Sequence, residues 1–252
     1  MKIVGFIPAR MASSRFPNKP LVSICGKSMI EHVYKRSAMS LSLDELYIAT
    51  CDEEIIKAAE AFGGKAVMTS NSHTRCTDRV AEAYRNIDCD AEILVIIQGD
   101  EPLIHPDMID LAVAPLLGDK GRDIFCVNLT AKIKEQTEAE DPNEVKVVFD
   151  KNMRALYFSR EPIPSIKNKP HKNWWKQVCV MPFWKESLDT YSRLAETPLE
   201  ILESVDMMRV LENGYTVQLV ESPFDTYSVD TEADRKEVEQ LMSCDPLYKK
   251  YQ

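Results

Sequence analysis

"EILVIIQGDEP", Glu92 to Pro102, holds an unbroken apolar run from Ile93 to Ile97 and then turns at Gly99. A half-buried strand alternates apolar with polar residues. A run that is apolar throughout reads as a strand covered on both faces, which is the place of a central strand in a parallel sheet. Working outward toward the N-terminus, Thr77 to Ile87 puts Val80, Tyr84 and Ile87 at helical spacing, and "KAVM" (Lys65–Met68) is a short strand. "DEEIIKAAEAF" (Asp52–Phe62) is a helix with Ile55, Ala59 and Phe62 on one face, stopped by Gly63-Gly64. "ELYIAT" (Glu45–Thr50), the helix pattern "SMIEHVYKRSAM" (Ser28–Met39) and the strand "KIVGFIP" (Lys2–Pro8) complete the upstream half. Downstream come a helix from His105 to Leu117 and the strand "DIFCVNLT" (Asp123–Thr130). The alternation predicts an α/β fold, Rossmann-like, with a doubly wound and mostly parallel sheet.

Beyond Asp141 the pattern changes. "EVKVVFD" (Glu144–Asp150), "RALYFSR" (Arg154–Arg160) and "KQVCVMPF" (Lys176–Phe183) read as strands, with no long helix between the first two, so antiparallel pairs are expected. Pro198 to Asn213 reads as one helix stopped by Gly214, "TVQLVES" (Thr216–Ser222) as a strand and Thr231 to Met242 as a closing helix. "EPIPSIKNKPHKNWWK" (Glu161–Lys176), rich in proline and lysine, reads as a loop or lid. The expected organisation is one domain over residues 1–252, in which about residues 145–225 form a smaller antiparallel lobe.

The chain has 252 residues, 28% of them charged, and a formal net charge of -9. An acidic balance argues against a general nucleic-acid binder. No apolar run approaches the roughly 20 residues of a membrane span, and "MKIVGFIPAR" lacks the apolar core of a signal peptide. A cytoplasmic protein without membrane insertion is expected. Seven cysteines without a C-x-x-C pair fit neither a disulfide framework nor a zinc site. The four histidines show no metal spacing, and His73 with Cys76 lacks a third group to orient a nucleophile. Trp174, Trp175 and Trp184 are more readily core or interface than a stacking platform.

Against this acidic background, "IPARMASSRFPNKPL" (Ile7–Leu21) gathers Arg10, Arg15 and Lys19 in the loop after the first strand. Ligands of open α/β sheets bind at the carboxyl ends of strands, and guanidinium and ammonium groups suit phosphate oxygens. Spacing alone leaves a phosphate clamp and a solvated charged loop level. Gly26-Lys27-Ser28 imitates a P-loop, but Leu21 stands where that motif needs glycine, and no G-x-G-x-x-G exists. Asp100, at the end of the central strand, is placed to hold Mg²⁺, an ion that needs few protein carboxylates. Asp230, in "YSVDTEAD" (Tyr227–Asp234), taken by itself reads as a helix N-cap.

Six stretches occur in order: "IPARMASSRFPNKPL", "QGDEP", "DPNEVKVVFD", "ALYFSREPIP", "TPLEILESVDMMRVLENG" and "VDTEADR". Together the set resembles the 3-deoxy-manno-octulosonate (Kdo) cytidylyltransferases over about Lys2 to Met242. The resemblance implies a homodimer that transfers CMP from CTP to the anomeric 2-hydroxyl of a 2-keto-3-deoxy sugar acid and releases pyrophosphate. It implies that Arg10, Arg15, Lys19 and Asp100 carry catalysis, and that Asp100 and Asp230 hold magnesium. Pro8, Ala9, Arg10, Ser13, Ser14, Arg15, Lys19, Thr77, Arg79 and Gln98 would contact the nucleotide. Gln98, Arg160, Gln177, Glu203 and Asp206 would contact the sugar acid.

The chain departs from the family pattern mainly on the sugar side. Where the family strand reads like H-x-G-x-Y-x-Y-R, this one has "QVCVMPFW", so Gln177 replaces histidine, Cys179 glycine, and Met181 and Phe183 tyrosines. Asp206 and Met207 replace a Glu-Gln pair, Arg75-Cys76 a Ser-Gly pair, and "ATCD" (Ala49–Asp52) delays the aspartate that often follows the threonine directly. Lost polar partners count against fully hydroxylated Kdo. The expected acceptor is therefore Kdo or a variant, such as an amino or deoxy form. A different acidic acceptor, such as another sugar acid or a phosphonate, and a non-catalytic nucleotide-binding protein are the alternatives.

Overall fold

The computed structural model describes residues 1–12, 16–165 and 173–252. Ser13, Ser14, Arg15 and residues 166–172, the middle of the expected lid, lie outside the described residues. The chain forms two compact units, one of residues 1–110 and 226–252, the other of residues 111–225.

The first unit is built from strands β1 (Ile3–Ala9), β2 (Ser23–Ile24) and β3 (Lys27–Ser28), helix α1 (Met29–Ser37), β4 (Glu45–Thr50), α2 (Glu53–Ala61), β5 (Ala66–Met68), α3 (Cys76–Arg85), β6 (Ile93–Ile97) and the start of α4 (Pro106–Gly118). Strands β5, β4, β1 and β6 lie side by side in that order, all parallel. The order reverses between β1 and β6, which is the switch point where ligands of open α/β sheets bind. Residues 93–97 are all fully buried, as the unbroken apolar run requires. Strands β2 and β3 form a small antiparallel ribbon.

The second unit holds β7 (Cys126–Lys132), α5 (Gln136–Glu140), β8 (Lys146–Phe149), β9 (Ala155–Ser159), β10 (Trp175–Val178), β11 (Val180–Trp184), α6 (Lys185–Tyr191), α7 (Pro198–Glu203), α8 (Asp206–Glu212) and β12 (Val217–Glu221). Its strands run β11, β7, β10, β8, β9, with β12 parallel to β7. The β8–β9 and β10–β7 pairs are antiparallel, as expected. The chain then returns to the first unit with α9 (Glu232–Cys244). Among the described residues no helix is long and apolar enough to cross a membrane.

Three expectations are corrected. "KQVCVMPF" is two strands, interrupted at Cys179. Val178 stands opposite Leu129 and Phe183 opposite Cys126, so five steps along one strand answer three along the other. Pro198–Asn213 is two helices, because Ser204 takes left-handed backbone angles (φ 53°, ψ 48°) that no helix continues. "DIFCVNLT" becomes strand only at Cys126 and continues to Lys132. Trp184 and Trp174 are core residues, and Trp174 packs with Ile133 and Ala139.

Helices α7 and α8 meet over a buried ion pair. Arg209 Nε and Nη2 each lie 2.7 Å from a Glu200 carboxylate oxygen, and the guanidinium sits 4.3 Å from the Tyr191 ring centre. Both residues are almost wholly buried. Removing one partner strands the other charge, so Arg209→Ala is expected to lower stability by about 3–5 kcal/mol in urea unfolding. A loss within experimental error would show that the pair is not what joins these helices.

Candidate active site

The site in the first unit starts from two strand ends. β1 ends at Pro8 and Ala9, and Arg10 follows, exposed. The chain then turns back through a 3-10 turn at Lys19–Leu21, entered by Asn18 in the left-handed region (φ 57°) and fixed by Pro20. β6 ends before Gln98, half-buried, and Gly99. A Cβ at Gly99 would stand 2.8 Å from the Pro8 carbonyl oxygen, so only glycine lets the two strand exits lie this close.

These turns bring Lys19, Asp100 and Asp230 together. Lys19 Nζ donates to Asp100 Oδ2 at 2.6 Å and to Asp230 Oδ1 at 2.8 Å. The side chains are 12%, 20% and 21% exposed, so the group is sheltered but reachable. Burial works against the Lys19 charge, yet the two carboxylates outweigh it and hold the ammonium above its ordinary pKa. The Val229 N–H donates to the Asp100 carbonyl at 3.0 Å and ties the approach to α9 onto the end of β6. Helix α9 is anchored by Val238 and Met242, which pack with Ile24 and Met29.

Asp230 is not the N-cap it resembles. Thr231 caps α9 in a reciprocal box with Asp234, whose carboxylate also accepts the Asp230 N–H at 2.9 Å. The Asp230 carboxylate is thereby left to face Lys19. Asp100 Oδ1 is buried and has no hydrogen-bond partner among the described residues. Two hard carboxylates, one with an orphaned oxygen, suit a divalent cation that completes its shell with phosphate and water.

Asp52, noted in the sequence only as a displaced aspartate and given no role there, anchors the loop after β1 by accepting the Met11 N–H at 2.7 Å. Its own N–H donates to Thr50 Oγ1. The signal available was its place just after β4, beside β1. Thr77 and Arg79, expected to contact the nucleotide, are well braced. Thr77 is fully buried, and Arg79 donates to Thr69 Oγ1 (2.7 Å) and to the carbonyls of Ser70 (3.2 Å) and His73 (3.1 Å). Glu82 takes the Ser70 N–H and pairs with His73. Burial would raise its pKa, but these partners hold the carboxyl below its usual value. The loop Thr69–His73 is thus pinned from both sides by α3.

In the second unit Glu203 accepts from the Tyr157 and Ser159 hydroxyls, each at 3.0 Å, and from the Arg160 N–H at 2.8 Å. Arg160 spans back to the carbonyls of Glu203 and Pro142, both at 2.8 Å. Lys146, missed in the sequence and fully buried, donates to the carbonyls of Asp141 (2.8 Å), Glu144 (2.7 Å) and Arg160 (2.5 Å). Burial lowers its pKa despite acidic neighbours. Gln177 Nε2 donates to Asn128 Oδ1 at 2.7 Å and lies 3.9 Å from Met181 Sδ. Asp206 is half-buried in the first turn of α8. Arg160, Glu203 and Lys146 form one network, and Gln177 belongs to another with Asn128.

Residues 4–226 match the cytidylyltransferase family. The chain belongs to that family. A 3-deoxy-manno-octulosonate cytidylyltransferase from Geobacter metallireducens is 42% identical over 258 residues, covering 96% of this chain and 98% of its own. An 8-amino-3,8-dideoxy-manno-octulosonate cytidylyltransferase from Shewanella halifaxensis is 38% identical, covering 97% of this chain and all of its own. A solved CMP:2-keto-3-deoxy-manno-octonic acid synthetase complexed with CTP superposes with a TM-score of 0.87 at 37% identity, over 96% of this chain and 99% of that one. The expected family is therefore the right one, and the chain is a cytidylyltransferase.

Gly99→Ala must push the Asp100 turn off β1. It is expected to cost about 1–3 kcal/mol of stability, read by thermal unfolding, together with a fall in turnover. A variant with unchanged melting and turnover would show that the two exits need not touch.

Proposed function

We propose that this cytidylyltransferase transfers CMP from CTP to the anomeric 2-hydroxyl of a 3-deoxy-2-ulosonic acid, Kdo or an amino or deoxy variant, and releases pyrophosphate. The observation that carries the reading is the Lys19–Asp100–Asp230 group at the switch point of the parallel sheet. The relatives' names and the CTP complex of the solved neighbour support the substrates.

Arg10, Arg15 and Lys19 take the triphosphate oxygens, with Ser13, Ser14 and the backbone of Pro8 and Ala9 beside them. Their charges stabilise the negative charge that builds on the departing pyrophosphate. Asp100 and Asp230 hold magnesium, which when bound neutralises phosphate charge and acidifies the attacking hydroxyl. Thr77, Arg79 and Gln98 bound the nucleotide, Arg79 by holding the Thr69–His73 loop in shape. Arg160, Glu203, Gln177 and Asp206 bind the sugar acid, whose hydroxyl attacks the α-phosphorus in line with departure of pyrophosphate, a reaction that positioning largely drives. The Gln177–Asn128 bond and the apolar Met181 favour an acceptor with fewer hydroxyls than Kdo. The reading includes a cytoplasmic homodimer.

Purified protein with CTP, magnesium and a panel of ulosonic acids is expected to release pyrophosphate with at least one of them, and fastest with an amino or deoxy form. Release with none would overturn the reading. Asp100→Ala is expected to lower turnover by about a hundredfold or more. Turnover at the parent rate would remove Asp100 from the metal site.

A further inference from the structure

The Lys19 ammonium stands between the two carboxylates that would hold a divalent cation. It lies 2.6 Å from Asp100 Oδ2 and 2.8 Å from Asp230 Oδ1. A metal ion binds carboxylate oxygens at about 2.0–2.1 Å, so an ion on that same pair of oxygens would need nearly the space the ammonium fills. The Lys19 ammonium competes with any cation for the charge of these two carboxylates. Asp100 Oδ1 is buried and has no hydrogen-bond partner among the described residues, and joining both carboxylates across Nζ requires the lysine to leave. Lysine is suited to leaving, because its charge rides on a flexible four-carbon stem with freely rotating donors. What can draw it off is a richer anion, and a triphosphate beside the same loop is one.

We propose that Lys19 is a displaceable countercation that couples metal entry to nucleotide binding: the triphosphate draws its ammonium away from Asp100 and Asp230, and the two carboxylates then take the metal where the ammonium stood. The inference rests on the function proposed above and adds an order of events to it. By linkage the coupling runs both ways, so the metal strengthens nucleotide binding by the same factor.

The test uses Mn²⁺ alone on the full chain without nucleotide, with free Mn²⁺ followed by electron paramagnetic resonance. The parent protein is expected to bind weakly. Lys19→Met is expected to bind about tenfold or more tightly, the scale on which an adjacent opposite charge biases a carboxylate. Lys19→Arg, which keeps the charge, is expected to stay weak. Lys19→Gln is expected to reproduce the gain and serves if Lys19→Met does not fold. Adding Asp100→Asn to Lys19→Met is expected to abolish it. A folded Lys19→Met or Lys19→Gln protein that binds Mn²⁺ no better than the parent overturns the displacement, while the proposed metal pair is still judged by the turnover of Asp100→Ala. A gain that survives Asp100→Asn overturns both.

Discussion

The site depends on one ammonium held between two carboxylates that come from distant parts of the chain. Lys19 lies beyond β1, Asp100 beyond β6 and Asp230 before α9, and both carboxylates must arrive within about 3 Å of the ammonium for charge-assisted hydrogen bonds to form. The parallel order β5, β4, β1, β6 sets the first two at neighbouring strand ends. Gly99 removes the side chain that would keep those ends apart, and the Val229 N–H to Asp100 carbonyl bond docks the third contributor by its backbone. The Thr231–Asp234 capping box relieves Asp230 of a structural duty. A functional carboxylate that also had to cap a helix would be less able to change partners.

The second unit uses buried charge differently. Lys146 spends its donors on three backbone carbonyls, and Glu203 spends both oxygens on two hydroxyls and an N–H. A buried ammonium is tolerated only when its hydrogen bonds are met, and here they fix where β8, β9 and the loop at Asp141–Glu144 lie. This is rigid positioning, in contrast to the exchangeable pairing around Lys19.

Much of the first unit was legible because its strands are covered on both faces and its helices are amphipathic, so hydrophobic pattern and fold carry the same information. The loop after β1, the turn at Asp100 and the helix before which Asp230 stands were legible for the same reason, since they lie at the ends of those strands. What escaped were features set by backbone rather than side-chain chemistry. Ser204 breaks a helix with nothing but its φ angle, and the slip at Cys179 divides a run that reads as one strand. Lys146 looks like ordinary surface charge in the sequence, and Asp52 like no more than a displaced aspartate. Their roles appear only when the Met11 N–H and three carbonyls are brought to them by tertiary structure.

The return of α9 to the first unit has a consequence for how the molecule is made. The contact between Lys19 and Asp230 closes a separation of 211 residues, among the costliest kinds of loop to order in a chain of this size. During synthesis the parallel strands emerge long before their last helix does, and the intervening segment forms a compact unit of its own. Folding of that segment first would draw its two ends toward one another and shorten the loop still to be closed. The carboxylate that finishes the site thus leaves the ribosome only after the whole intervening unit, and a chain cut short before Asp230 would carry the loop after β1 with one carboxylate of its pair missing.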